Sequence, residues 1–157
     1  MATNIQPILQ DINWIDVTDP TPGEMQQLSQ QYGLNEHIVR DCMQPEHLPK
    51  YEFVEDVHFL ILRYYARPSD KRVTTIQDQT NKIAIFFTSH FFITIHKSEL
   101  TFLELLKRQA ARGKWDTTAD VLLQVCWQTL ETFEEPGKPT GSHRYGQIDP
   151  FACRFVL

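Results

Sequence analysis

A chain of 157 residues has room for one domain with a proper core, and its formal net charge of −5 disfavours nucleic acid, whose phosphates reward clustered Lys and Arg. Hydrophobic residues at 41% and aromatics at 11% make an ordinary globular composition and exclude a disordered one. Cys42, Cys126 and Cys153 form no Cys-x-x-Cys pair, so no zinc or dithiol redox chemistry is indicated, and all three read as reduced in a cytosolic compartment.

Met1 to Gln10 has neither a basic n-region nor an apolar h-region, so no signal peptide is expected. Trp14-Ile15-Asp16-Val17 alternates like a strand with one buried face. Thr21 as N-cap, Pro22 at N1 and Glu24 at N3 then spell a capping box, and Gly33 suits the left-handed residue that ends the helix. Asn35 caps a second helix that turns Ile38, Val39, Cys42 and Met43 inward and Asp41 elsewhere; Pro45 and Pro49 end it, and Lys50 begins a strand. Val57 to Tyr65 is apolar on both faces, as a central strand is. Pro68 to Lys71 reads as a turn and Arg72 to Gln77 as an edge strand. Ile83–Thr88 and Phe91–His96 are joined too tightly to be parallel.

Thr101 and Glu104 suggest another capping box, with an earlier start at Ser98 as the alternative, on a helix lined by Leu100, Leu103, Leu106 and Ala110 and closed by Gly113. Thr117 to Asp120 opens a last helix whose expected inward stripe is Leu122, Val125, Cys126, Leu130 and Phe133. A sheet apolar on both faces needs a layer on each, so the expected fold class is α/β (of α+β type), a three-layer α/β/α sandwich with a mixed, partly antiparallel sheet. Residues 1–135 form the domain. Residues 136–157, rich in Pro and Gly, form a tail that either departs from the domain or packs Ile148, Phe151, Phe155 and Val156 onto it.

The order of these phrases resembles the cytosolic N-terminal domain of the CorA family of magnesium transporters, over roughly residues 12 to 135. The matching stretches are Trp14-Ile15-Asp16-Val17, Gly33-Leu34-Asn35, Asp41, Pro49-Lys50, Val57–Leu62 and Phe91–Lys97. The family's Gly-Met-Asn signature and membrane-spanning segment are not found, and the longest apolar runs fall far short of the twenty or so residues that span a bilayer. The resemblance implies a soluble regulatory domain on the cytoplasmic face of a divalent-cation transporter, with metal sensing and gating as its task. It also implies Mg2+ as the ion, with Co2+, Ni2+ or Zn2+ as alternatives, and a homopentamer in the intact protein. Without the stalk and membrane helices, this chain is expected to be a monomer or weak oligomer that does not itself insert into the membrane.

The resemblance further implies that Asp41 contributes to a divalent-metal site between subunits, where an ion would neutralise facing carboxylates and hold them together. Many relatives carry an acidic residue just before this aspartate; here it is Arg40. From spacing, His37 lies four residues before Asp41 on one helix face and is a second candidate ligand; Glu36, Glu46 and Asp120 are weaker candidates that no spacing singles out. No phosphate loop, His-Glu-x-x-His or Gly-x-Ser-x-Gly motif occurs, so the chain reads as no enzyme. Asp16, Asp19 and His47 near strand ends lack a nucleophile–base arrangement. The rival reading is a free-standing ligand- or protein-interaction domain of the same fold.

Overall fold

The computed structural model describes residues 2–9, 12–66 and 75–134. In chain order the elements are β1 (Ala2–Leu9), β2 (Ile12–Thr18), α1 (Pro22–Tyr32), α2 (Glu36–Met43), β3 (Lys50–Val54), β4 (Val57–Tyr65), α3 (Ile76–Gln79), β5 (Thr80–Phe87), β6 (Phe91–His96), α4 (Thr101–Ala110) and α5 (Thr118–Glu134). The strands form one sheet in the order β1-β2-β6-β5-β4-β3. Only β2 and β6 run parallel, with Ile15 opposite Ile93; the other four pairings are antiparallel. The mixed sheet is the expected one.

Alternation along the strands divides the core in two. One face carries Ile15, Val17, Phe59, Ile61, Ala84, Phe86, Ile93 and Ile95 against Met25 and Leu28 of α1 and Ile38 and Cys42 of α2. The other carries Trp14, Tyr64, Ile83, Ile85 and Phe92 against Phe102, Leu103 and Leu106 of α4 and Val121 and Val125 of α5. Helices on both faces make the three-layer sandwich.

Local chemistry sets the starts and stops. Thr21 and Glu24 form the reciprocal capping box, and Gly33 ends α1 at φ 62°, a left-handed conformation that favours glycine. Asn35 Oδ1 accepts from the His37 N–H at 2.8 Å and caps α2. The β3–β4 connection is a two-residue turn with Glu55 and Asp56 both at positive φ, the backbone that matches the twist of a hairpin.

Several expectations are corrected. β1 is an added edge strand, zipped onto β2 from Ala2 opposite Thr18 to Leu9 opposite Ile12. The described end of the expected strand at 72–77 is helical: Thr75 and Asp78 make a capping box and Ile76–Gln79 form α3. The turn at 68–71, Cys153 and the tail at 136–157 lie outside the described residues. Thr101 is the first residue of α4 rather than its cap, because Glu104 pairs with Lys107 instead of reaching back. α5 is rotated from its expected face. It buries Thr118, Val121, Val125, Gln128, Thr129 and Thr132, while Leu130 is 62% exposed and Phe133 46%. Thr129 and Thr132 enter the core with their hydroxyls satisfied locally: Thr129 Oγ1 donates to the Val125 carbonyl and Thr132 Oγ1 to the Thr129 carbonyl.

Candidate cation site around Asp41

α2 packs on the face of the sheet that carries Ile15 and Phe59, and its C-terminal end is tied down by two cations rising from β5 and β4. Lys82 of β5 donates to the carbonyls of Cys42 and Gln44, both at 2.5 Å. Arg63 of β4 donates to the carbonyls of Pro45 and His47 at 3.2 and 3.0 Å, and through Nε to Thr80 Oγ1 at 2.7 Å. These bonds satisfy carbonyls that a helix end leaves unpaired. They also fix the last turn of α2, which carries Asp41.

Asp41 is 7% exposed, not turned to solvent. Lys50, the first residue of β3, donates from Nζ to Asp41 Oδ2 and, at 2.9 Å, to Glu52 Oε1. Lys50 and Glu52 sit two apart on one face of the edge strand, opposite Ile61 and Phe59, so both point toward α2. The Lys50 ammonium also lies 5.5 Å from the centre of the Phe59 ring. His37 Nε2 and His47 Nε2 stand 3.7 and 3.6 Å from Asp41 Oδ2. The hydrogen bond from Lys50 holds the Asp41 carboxyl below its ordinary pKa, against the opposing effect of burial. Burial works against the Lys50 charge, but bonds to Asp41 and Glu52 outweigh it and hold the amine above its ordinary value.

Of the expected ligands, Asp41 and His37 are brought together; Glu36 is exposed on the first turn of α2, outside this group. Glu52 completes the set instead: one donor atom from each of His37, Asp41 and Glu52 lies within 4.8 Å of the others. Two carboxylates and an imidazole suit a divalent cation in chemistry, though a Lys ammonium already bridges the carboxylates. Arg40 is exposed, and the charge partner of Asp41 is Lys50, nine residues on. Glu52 and Lys50 are not among the expected site residues, and the alternation Lys50-x-Glu52 after Pro49 is the available signal; His47, considered for catalysis, stands instead beside Asp41. Glu52 Oε2 is buried and accepts no hydrogen bond among the described residues.

Asp16, on the opposite face of the sheet, belongs to a separate buried network. Its Oδ1 accepts from Thr94 Oγ1 at 2.5 Å and lies 2.9 Å from His96 Nε2; its Oδ2 accepts from Lys107 Nζ at 2.8 Å. Trp14 Nε1 donates to Thr94 Oγ1 at 3.0 Å, and His96 Nδ1 faces the Ser98 carbonyl at 2.7 Å. Every polar atom of Asp16 is engaged within the protein, so this cluster braces β2, β6 and α4. Among the described residues no helix is long and apolar enough to cross a membrane.

The family model described as "CorA-like Mg2+ transporter protein" matches residues 9–140. The fold is similar to the complete CorA magnesium transporter from Methanocaldococcus jannaschii, at TM-score 0.61 and 19% identity, covering 79% of this chain and 38% of that one. It is similar to the soluble domain of CorA from the same organism, at TM-score 0.62 and 17% identity over 79% of this chain and 49% of that one. The ZntB cytoplasmic domain from Vibrio parahaemolyticus matches at TM-score 0.60 and 16% identity, over 80% of this chain and 50% of that one. The chain therefore spans half or less of the length of each of these structures. No curated protein sequence matches it.

Proposed function

We propose a role for this chain from one premise: it belongs to the family of CorA-like Mg2+ transporter proteins. The role is that of a regulatory domain on the cytoplasmic side of a divalent-cation transporter, sensing the ion it helps to pass. Mg2+ is the favoured ion, with Co2+, Ni2+ or Zn2+ as alternatives, and a homopentamer is the favoured assembly of the whole transporter. The observation that carries the reading is Asp41, a largely buried carboxylate with His37 and Glu52 donors converging on it. A bound divalent ion supplies positive charge that ties carboxylates together, and its loss leaves them to repel. The chain's own part is to hold those donors in place, with Lys82 and Arg63 anchoring the end of α2.

Thermal unfolding against Mg2+ concentration tests the reading. Binding to the folded state raises stability by about 2.7 kcal/mol at a hundredfold excess over the dissociation constant. Asp41→Asn is expected to remove that increment. A melting point that does not move at millimolar Mg2+ would count against a site in this chain.

A free-standing interaction domain is the second reading. The observation that favours it is the row of Leu123, Trp127, Leu130 and Phe133 exposed along α5.

A further inference from the structure

We infer that Lys50 is a tethered competitor for the candidate cation site, an ammonium that must leave Asp41 and Glu52 before a divalent ion can use them. The inference rests on the reading of Asp41 as a metal-sensing residue and concerns how that site is regulated.

Besides Arg40, exposed on α2 itself, three cations rise from the sheet near the end of α2, and they are employed differently. Lys82 gives its hydrogen bonds to the carbonyls of Asp41, Cys42 and Gln44. Arg63 gives its own to Thr80, Gln77, Pro45 and His47. Both serve the backbone and need not move when the carboxylates change partner. Lys50 alone of the three bonds the carboxylates, taking one oxygen from each. These are the two acidic groups of the candidate ligand set.

An ammonium between two carboxylates leaves one net negative charge instead of two, so a divalent ion approaching them meets half the attraction. Lys50 is also able to withdraw. Its side chain is 19% exposed, on a flexible four-carbon stem, at the first residue of an edge strand. The buried Oε2 of Glu52, which Lys50 does not bond, is a second acceptor already turned away from water. The site thus holds its donors assembled around a built-in monovalent cation. Metal occupancy then requires a concentration high enough to evict it, which sets a threshold for sensing.

The experiment is a calorimetric Mg2+ titration of the full chain and of Lys50→Met, with Lys50→Gln as a second variant and circular dichroism as the check of folding. Removing the ammonium is expected to tighten Mg2+ binding by about tenfold or more. In the unmodified chain, Mg2+ is expected to speed the acetylation of Lys50 by an amine reagent, read by peptide mass spectrometry, because displacement frees the amine. Equal affinity in the parent and the Lys50 variants, or acetylation of Lys50 indifferent to Mg2+, overturns the competitor role. If Asp41→Asn still abolishes binding in that case, the site itself stands. Binding that survives Asp41→Asn, or no binding in any of the proteins, overturns the site reading and the competitor with it. Should neither Lys50 variant fold, the acetylation result decides alone.

Discussion

Asp16 is a buried carboxylate that faces His96, Lys107 and Thr94 together. Burial alone would push its carboxyl up; the hydrogen bond and charge of His96, with bonds from Lys107 and Thr94, reverse that and hold it below the ordinary value. Lys107 is 1% exposed, and burial acts against its charge, but Asp16 and Glu104 outweigh burial and hold it above the ordinary lysine value. Asp16→Asn leaves the buried Lys107 ammonium with Glu104 as its remaining carboxylate partner, so it should cost about 3 kcal/mol, the low end for a broken buried pair, measured by urea unfolding. The double variant Asp16→Asn/Lys107→Met should cost less than the single change, because no stranded ammonium remains. The signs with pH follow. Asp16, depressed when folded, stabilises fully above its unfolded pKa of about 4, and that stability fades as pH falls through the lower folded value. Lys107, raised when folded, stabilises fully below its unfolded pKa of about 10.4, and that part fades as pH rises through the higher folded value. Urea midpoints followed from pH 2 to 6 should fall on the acid side in the parent and fall less in Asp16→Asn. None of these partners could be read from the sequence around Asp16, since Thr94, His96 and Lys107 lie 78 to 91 residues away. The same distance in sequence hid the burial of Lys107, whose charge gave no reason to place it inside.

Elements were legible where their signals are local. The α1 capping box and Gly33, the Asn35 cap and the tight β5–β6 connection all stand within a few residues of one another and formed as read. The inward face of α5 differs from the expected one because its apolar residues run nearly all round, and no local signal says which side meets the sheet; the burial of Thr129 and Thr132 is recognisable only once they are packed. The site was half legible for a related reason. His37 and Asp41 share one helix, whereas Lys50 and Glu52 join them only when β3 folds under α2. The β3–β4 hairpin turn holds a further prediction. Asp56 occupies φ 65° without being glycine, a conformation that costs an L-residue about 1 kcal/mol or slightly more. Asp56→Gly should therefore stabilise the fold by about that amount, read as a raised urea midpoint with unchanged slope. It is a cleaner test than a change at Glu55, whose Oε2 accepts a bond from Asn35 Nδ2 at 3.2 Å.

At the scale of the molecule, the layers on the two faces of the sheet are covered unequally. Tyr51 and Phe53 of β3 are more than half exposed, and α5 leaves Trp127 and Leu130 in solvent. Such surfaces favour weak association without forcing it. Sedimentation at micromolar concentration is expected to show a monomer with a minor associated species. Leu130→Glu should remove that species while leaving the urea midpoint almost unchanged, since a surface substitution usually shifts stability by less than about 0.5 kcal/mol. A stable pentamer under these conditions would reverse this expectation. The strand order carries a consequence of another kind. From β3 to β6 the sheet is a meander in which each strand pairs with its neighbour in sequence, so these pairings are more local than that of β2 with β6. β2 pairs locally with β1, but its link to the rest of the described sheet is β6, so Ile15 must wait for Ile93. Loop-closure entropy makes that parallel pairing the late and slow one. On a ribosome, the β1–β2 hairpin is made before the rest of this sheet and must wait, with the edge that faces β6 unpaired, until β6 has been made, so the part of the sheet made earlier is the last to be placed.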